Sequence, residues 1–291
     1  MSSRTNVGWI GLGNMGSPMA LRLLAAGYPV AVYNRSPEKT AALSAAGATV
    51  ATSPAALLPE ADVIFCMVSD DAAVRTLFTG PEGLLQAPAT GKLFINMSTV
   101  SPGISQELAA RSHAQGNMYL DAPVSGSVKQ AESGQLVIMV GGEAPAFEQA
   151  QPLLVHLGKL SRFLGPAGNG NLAKLAMNTL LAFQAQGLAE ALLFAQQHGL
   201  QPADLLPLIG SSALSSVFTT LKGEVVLAGN YQAAFALKLL AKDLRLAKAE
   251  GLSTPLAKVV CQTFQQAEPA LGDEDVMAII KYLDHSSDKQ G

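Results

Sequence analysis

The sequence has few charged residues and no strong excess of either sign. Only 14% of its 291 residues are Asp, Glu, Lys or Arg, the formal net charge is -3, and no block of like charges occurs. A surface of this composition lacks the positive field that attracts a phosphate backbone or an anionic membrane. We therefore expect neither a nucleic acid nor a membrane among its partners.

Cysteine is also scarce, and long uninterrupted apolar runs are missing. The 2 cysteines, Cys66 and Cys261, lie far apart without metal-type spacing, a pattern typical of a reducing compartment. The first residues lack the basic-then-apolar order of a signal peptide. The most apolar stretch, NTLLAFQAQGLAEALLFA from Asn178, is broken by two glutamines and a glutamate. We expect a cytoplasmic protein in which this stretch is a buried helix.

Signatures of metal and nucleophile chemistry are missing as well. The 4 histidines show no ligand spacing, and neither an HExxH helix nor a nucleophile elbow occurs. Without these motifs, the sequence gives no support for a hydrolase of the common metal-dependent or serine type. We expect no bound metal.

What the sequence has is 49% hydrophobic residues, distributed differently in its two parts. Short β-rich runs alternate with helical segments through the first part: NVGWIGLG, PVAVYNR, ADVIFCMVS, KLFINMST, MYLDAPV and QLVIMVGG. This alternation predicts an α/β fold with a mostly parallel, doubly wound sheet of Rossmann type. A dinucleotide-binding domain is therefore expected over residues 1–165.

From about residue 166 the strand pattern stops, after the glycine-rich segment LGPAGNG. The next stretch can form one helix of about 30 residues, or about 45 Å, long enough to run between domains. Further helices are predicted at about 202–222, 233–250, 254–268 and 273–283. We expect residues 166–291 to form an all-α domain for substrate binding and dimerisation. The last seven residues, HSSDKQG, have a disordered composition.

The clearest motif is a glycine-rich turn in VGWIGLGNMGSPMA, with G-x-G-x-x-G at Gly11, Gly13 and Gly16. It follows an apolar strand and precedes a helix, the context in which the backbone approaches a pyrophosphate at a helix N-terminus. We assign the whole turn to the cofactor, including the intervening Leu12, Asn14 and Met15. A glycine-rich turn without a ligand is the alternative.

About 20 residues beyond such a turn, NAD-binding proteins place an acid on the ribose 2′-OH. This chain has Asn34, Arg35 and Ser36 there. Asparagine removes the repulsion of a 2′-phosphate, arginine offers a permanently charged donor, and serine adds a hydroxyl. These residues predict NADP (NADPH) as cofactor, with NAD less favoured; an ordinary solvated turn is the alternative.

Four further segments resemble the β-hydroxyacid dehydrogenase family, which includes 3-hydroxyisobutyrate dehydrogenases and NADPH-dependent glyoxylate and succinic semialdehyde reductases. They are INMSTVSP, DAPVSGSVKQAESGQL, GNGNLAKLAMN and FALKLLAKDLRLA, in the family's order along the chain. The resemblance implies a Rossmann domain, a helical domain and an active site between them. It also implies pairing of helical domains, hence a homodimer or homotetramer.

The resemblance implies a role for each matching residue. Lys174 corresponds to the catalytic lysine, and Asn178 lies one helical turn later on the same face. Ser125 and Gly126 correspond to the segment that holds the substrate carboxylate, and Phe235 to a substrate-pocket residue. The cofactor set is completed by Val68, Thr99 and Lys242. Ser127 replaces a glycine of the hydroxyisobutyrate enzymes, which favours the glyoxylate and succinic semialdehyde reductases.

The expected reaction transfers a hydride between a nicotinamide and a small carboxylated aldehyde or hydroxyacid, with Lys174 exchanging a proton with the substrate oxygen. Ordinary helix-surface charges are an alternative explanation for Lys242 and for its polar neighbour Asp243. Two other functions stay open: an imine reductase, whose family usually lacks the lysine, and a non-catalytic dinucleotide-binding module. The sequence leaves the particular aldehyde, the direction of reaction and the oligomer size open.

Overall fold

The computed structural model describes residues 5–287, with nine strands among them. Six of these coincide with the runs predicted as strands, because each run is a short apolar segment bounded by turn residues. The strands are β1 (Val7–Ile10), β2 (Val30–Tyr33), β3 (Thr49–Val50), β4 (Val63–Cys66), β5 (Leu93–Asn96), β6 (Met118–Asp121), β7 (Val124–Ser125), β8 (Leu136–Gly142) and β9 (Gly158–Phe163).

The strands form one mixed sheet with the order β3-β2-β1-β4-β5-β6-β8-β7, and β9 pairs with β8. The first six are parallel, whereas β8 runs antiparallel to β6 and β7. The order 3-2-1-4-5-6 is that of a dinucleotide-binding sheet, with its switch point between β1 and β4. The carboxyl ends of these strands, where a cofactor is expected, carry the glycine turn and the segments after β2, β4 and β5.

Helices cover both faces of this sheet, as a doubly wound fold requires. Trp9 of β1 lies in one buried cluster, while its neighbour Ile10 lies in the other. The helices of this part are α1 (Gly16–Ala25), α2 (Ala41–Ala45), α3 (Asp71–Thr79), α4 (Pro102–Ala114), α5 (Val128–Ser133) and α6 (Ala144–Leu154).

After β9 every further element of the described chain is helical, as predicted. The predicted long helix is present as α7 (Asn169–Gln197), which has 29 residues. It is followed by α8 (Pro202–Gly210), α9 (Val217–Ala228), α10 (Leu237–Ala249), α11 (Pro255–Leu271) and α12 (Ile279–Ser287). The chain divides into two compact units, Met1–Lys174 and Leu175–Gly291, and the second has its own apolar core.

Several predicted boundaries were wrong. The helix expected over 202–222 is two helices, because the polar segment 211–216 interrupts it and Ser216 caps α9. Strands β3, β7 and β9 were not predicted; β3 and β7 have only 2 residues each, and β9 lacks an apolar run. The terminal segment expected to be disordered is helical as far as Ser287, and residues 288–291 lie outside the described residues.

Candidate active site

The glycine turn between β1 and α1 has the geometry of a phosphate cradle. Gly11 has φ +94°, and a Cβ there would lie 2.1 Å from the carbonyl oxygen of Met67. A Cβ on Gly16 would lie 1.9 Å from the carbonyl oxygen of Gly11, so the helix start packs directly on the turn. Gly13 instead faces open space, with no atom within 4 Å of a Cβ built there. These residues fit a dinucleotide whose phosphates approach the backbone at Gly13.

The segment after β2 is tied to this turn through Asn34. Its side-chain oxygen accepts a hydrogen bond from the N–H of Leu12 at 2.9 Å, and its amide nitrogen donates to the carbonyl of Ser36 at 2.9 Å. Arg35, between them, is exposed. The polar segment chosen from the sequence therefore lies at the carboxyl edge of the sheet, beside the glycine turn.

The ends of β4 and β5 are joined by a buried polar network. The N–H of Val68 donates to the hydroxyl of Ser98 at 2.9 Å, and the N–H of Ser98 donates to the side-chain oxygen of Asn96 at 3.0 Å. Asn96 also donates to the hydroxyl of Tyr119 at 3.0 Å. Thr99 follows directly and is half-buried. Val68 and Thr99 thus lie at the same sheet edge as the glycine turn.

The segment assigned to a substrate carboxylate follows β6. Ser125 ends β7 and is half-buried, while Gly126 is exposed with φ +142°. A Cβ on Gly126 would lie 2.7 Å from a methyl carbon of Leu136, so this position requires glycine for conformation and for space. Ser127 caps α5: its N–H donates to the side-chain oxygen of Gln130 at 2.9 Å, and its hydroxyl contacts the same oxygen. The N–H of Ser127 is therefore already engaged.

The start of α7, which carries Lys174, is anchored by a buried carboxylate. Asp121 accepts hydrogen bonds from the N–H groups of Gly168 and Asn171, each at 2.8 Å. Burial raises the pKa of Asp121, and these hydrogen bonds only partly offset the effect. A Cβ on Gly170 would lie 2.5 Å from the backbone oxygens of Asp121 and Met139, so the helix begins in direct contact with β6 and β8.

In the second unit, two residues chosen from the sequence meet at a third. The amide of Asn178 donates to Asp243 at 2.5 Å, and the ammonium of Lys242 lies 2.9 Å from the other oxygen of the same carboxylate. Asp243 is buried, with 3% of its surface exposed. Asn178 and Lys242 are thereby held together through Asp243, which solvated helix charges would not require.

Phe235 is held by a different carboxylate of the same unit. Asp275 is fully buried and accepts from the N–H groups of Ala234 and Phe235 at 3.2 and 3.3 Å. The ammonium of Lys222 lies 2.8 and 2.9 Å from the two oxygens of Asp275. This ion pair orders the segment that leads into α10.

The sequence interpretation did not include the polar residues that hold these segments in place, which are Ser98, Asp121 and Asn171 in the first unit and Lys222 and Asp275 in the second. Asp121 and Asn171 stand inside the quoted motifs DAPVSG and GNGNLAKLAMN, which was the one available signal. Among residues 5–287 no group of three or more His, Cys, Asp or Glu side chains is arranged to hold a metal. No helix of the described chain is long and apolar enough to cross a membrane.

A sheet of this order with an open glycine turn is that of a dinucleotide-binding domain, the domain on which nicotinamide-dependent oxidoreductases are built. Residues 6–167 match the family model for the NAD-binding domain of 6-phosphogluconate dehydrogenase. Residues 168–283 match the model for NAD-binding of NADP-dependent 3-hydroxyisobutyrate dehydrogenase. The chain belongs to the β-hydroxyacid dehydrogenase family and is an NAD(P)-dependent dehydrogenase of the 3-hydroxyisobutyrate dehydrogenase type.

Similar proteins cover nearly the whole chain. Glyoxylate/succinic semialdehyde reductase 2 of Arabidopsis thaliana is 35% identical over 96% of this chain and 79% of its own length. The structure of Mycobacterium tuberculosis 3-hydroxyisobutyrate dehydrogenase with L-serine has a TM-score of 0.88 at 31% identity, covering 97% of this chain and 99% of that one. Psf3 in complex with NADP+ and 2-OPP also has a TM-score of 0.88, at 30% identity, covering 95% and 99%.

Imine reductases are more distant. The structure of the enzyme from a Pseudomonas species has a TM-score of 0.65 at 22% identity, covering 97% of this chain and 100% of that one. At this level of identity the likeness shows a shared fold alone.

Proposed function

We propose that this protein is an NADP-dependent reductase of a small aldehyde that carries a carboxylate, also able to oxidise the matching hydroxyacid. The observation that carries the proposal is the neutral, hydrogen-bonded Asn34 beside the exposed Arg35 at the edge where the glycine turn lies. An acid in place of Asn34 would repel a 2′-phosphate, whereas a guanidinium pairs with it in a planar, charge-assisted contact. One relative, named a glyoxylate/succinic semialdehyde reductase, supports the substrate class.

Residues 1–165 would hold the cofactor and residues 166–291 would complete the substrate site. The glycine turn would bind the pyrophosphate, and Arg35 with Ser36 the 2′-phosphate, while Val68, Thr99 and Lys242 would complete the contacts. When bound, the nicotinamide supplies the hydride that reduces the carbonyl carbon. Ser125 and Gly126 would bind the carboxylate and so orient the carbonyl.

Negative charge develops on the substrate oxygen as the carbon is reduced. The Lys174 ammonium would donate a proton to that oxygen, giving the alcohol, and would take it back during oxidation. Asn178 would orient the lysine or the substrate, since its own amide is fixed by Asp243. A lysine is suited to this step because its ammonium can lose a proton, whereas a guanidinium stays charged.

The test is a substrate panel with both cofactors. Glyoxylate, succinic semialdehyde, methylmalonate semialdehyde and tartronate semialdehyde are assayed with NADPH and NADH, beside a cyclic imine. Faster NADPH oxidation with an acidic aldehyde supports the proposal. Turnover of the imine alone would favour the imine reductase, and no oxidation with any compound would favour the non-catalytic module.

We propose a homodimer or homotetramer in the cytoplasm. The region 202–228 exposes five large apolar side chains, and the most accessible are Leu208, Leu214 and Val217, with 67%, 72% and 75% of their surface accessible. Clusters of exposed apolar side chains commonly mark association surfaces. Light scattering measures the mass directly, and a species of 30.1 kDa would contradict self-association. The reducing compartment is inferred from the two free cysteines.

A further inference from the structure

We propose that Asn171 is a positioning residue, which ties the backbone beside Thr99 to the first turn of α7, three residues before Lys174. The inference rests on the function proposed above. Asn171 would keep the proton-donating lysine aligned with the edge of the sheet where the cofactor would bind. Asn171 itself need not touch substrate or cofactor.

The contacts of Asn171 join three elements. Its side-chain oxygen accepts from the N–H of Val100, the residue after Thr99, at 2.9 Å. Its amide nitrogen donates to the hydroxyl of Ser105 in α4 at 3.1 Å. Its own N–H donates to Asp121 at the end of β6 at 2.8 Å. One fully buried residue therefore connects the β5–α4 segment, α4 and β6 to the first turn of α7.

The chemistry of this position suits asparagine. Its amide supplies an acceptor for Val100 and a donor for Ser105 at the same time. An alanine would leave the buried N–H of Val100 without its acceptor, which costs stability and frees the segment. An aspartate would place a second carboxylate beside Asp121, whose oxygen already lies 3.5 Å from the amide nitrogen of Asn171.

The position of Lys174 follows from this tether. Lys174 is three residues after Asn171, so the two side chains lie on neighbouring positions of one helix face. A helix turn is stiff, and a shift of its anchor moves the lysine by a similar amount. Since a displacement of about 1 Å can cost about a hundredfold in rate, the anchor affects turnover without contacting the reacting atoms.

The test compares Asn171→Ala with Asn169→Ala. Asn169 is the matched control, because it lies in the same helix turn and its amide donates to the carbonyl of Leu164 at 2.7 Å rather than to Val100. We expect Asn171→Ala to lower kcat about ten- to a hundredfold with little change in the Kd for NADPH. The isotope effect on kcat with deuterated NADPH should rise as chemistry becomes limiting. Asn169→Ala should change neither.

Amide hydrogen exchange tests the tether without relying on activity. Residues 97–104 should exchange faster in Asn171→Ala and at the parent rate in Asn169→Ala. If Asn171→Ala fails to fold, Ser105→Ala, which removes the hydroxyl that accepts from the Asn171 amide, should change kcat and exchange in the same direction by less.

Two outcomes would overturn the inference, and they differ from failure of the proposed function. Equal amide hydrogen exchange of residues 97–104 in all variants would show that Asn171 does not hold this segment. If kcat is unchanged in Asn171→Ala while Lys174→Ala has lost activity, Asn171 does not position the lysine. The proposed function would still stand. Parent activity in Lys174→Ala would exclude Lys174 as the proton donor and with it the alignment that Asn171 is proposed to secure. The proposed function itself would fail only if the parent protein oxidised NADPH with none of the acidic aldehydes.

Discussion

The side-chain oxygen of Asn34 accepts a hydrogen bond from the N–H of Leu12 at 2.9 Å, which fixes the segment after β2 to the glycine turn. The amide nitrogen completes the link by donating to Ser36. An aspartate could still accept from Leu12, but its second oxygen would face the Ser36 carbonyl. Asparagine at this position therefore has a conformational role, in addition to lacking the charge that would repel the 2′-phosphate of the proposed cofactor.

The first prediction concerns cofactor preference. Arg35→Ala should weaken NADPH binding about tenfold or more, because a hydrogen bond to a charged group contributes about 1.5 to 3 kcal/mol, and NADH binding should be unchanged. Adding Asn34→Asp should reverse or erase the preference. Fluorescence titration with both cofactors measures this, with the exposed Lys39→Ala as control for charge loss in the same segment. Equal affinity of the parent for NADH and NADPH would contradict it.

The sheet could be predicted from sequence because its strands are short apolar runs separated by turn residues, and β1 with the glycine turn is the clearest case. The two-residue strands β3 and β7 could not, since pairing with a neighbour rather than local pattern defines them. The long helix α7 was predictable from its uninterrupted helical composition. The break between α8 and α9 was missed, because leucine-rich segments on both sides continue the helical pattern across it.

For the candidate site, the sequence indicated residues that would face a ligand but missed those that hold them. The role of Lys174 could be assigned from its motif. The roles of Asp121 and Asn171 depend on hydrogen bonds between distant residues: Asn171 donates to Asp121, 50 residues away, and accepts from Val100, 71 residues away. Long-range hydrogen bonds of this kind have no local periodicity. The contact of Asn178 with Asp243, 65 residues apart, is hidden from the sequence for the same reason.

A second prediction concerns the substrate carboxylate. Ser125→Ala should raise the KM for an acidic aldehyde about tenfold, the loss expected when a hydrogen bond to a charged group is removed. The Kd for NADPH should not change. Ser133→Ala, which removes an exposed hydroxyl bonded to Lys129, is the matched control. A larger side chain at Gly126 would be a poorer test, because its φ of +142° and its contact with Leu136 would distort the loop itself.

A third prediction concerns the stability of the helical unit. Asp275→Ala should lower the free energy of unfolding by about 3 to 5 kcal/mol, because it leaves the Lys222 ammonium, 13% exposed, without its buried partner. Asp273→Ala should cost less than about 1 kcal/mol, since that carboxylate is 89% exposed and pairs with Lys238 at the surface. Urea unfolding of both variants gives the comparison. Similar losses would show that burial does not decide the strength of these pairs.

A fourth prediction follows from the raised pKa of Asp121. In the unfolded chain this carboxyl titrates near 3.8, and burial raises its pKa in the folded protein. Between the two values the folded state binds more protons, so its contribution to stability falls as pH rises through that window. Asp121→Asn removes this titration but leaves the N–H of Asn171 facing an amide, at a cost of about 1 to 3 kcal/mol. The cost of the substitution, measured by urea unfolding, should therefore shrink as pH rises; growth with pH would contradict it.

The last prediction concerns Lys174, which separates an acid-base catalyst from a protein that only binds a dinucleotide. General acid-base catalysis contributes about a hundred- to ten-thousandfold, so Lys174→Ala should lower kcat at least about a hundredfold. NADPH affinity should survive, because the glycine turn and Arg35, which are proposed to bind the pyrophosphate and the 2′-phosphate, belong to elements other than α7. Lys174→Arg should keep the charge and recover little activity, since a guanidinium hardly releases its proton.

Asn178→Ala should be less damaging than Lys174→Ala, because Asn178 is assigned an orienting role and its loss frees only one contact of Asp243. Steady-state rates are to be measured beside NADPH titration, with Lys258→Ala as control because that lysine is exposed on α11. Loss of both rate and NADPH affinity in Lys174→Ala would show a binding role in place of proton transfer. Turnover near the parent rate would exclude Lys174 as the proton donor, while the family assignment and the fold would stand.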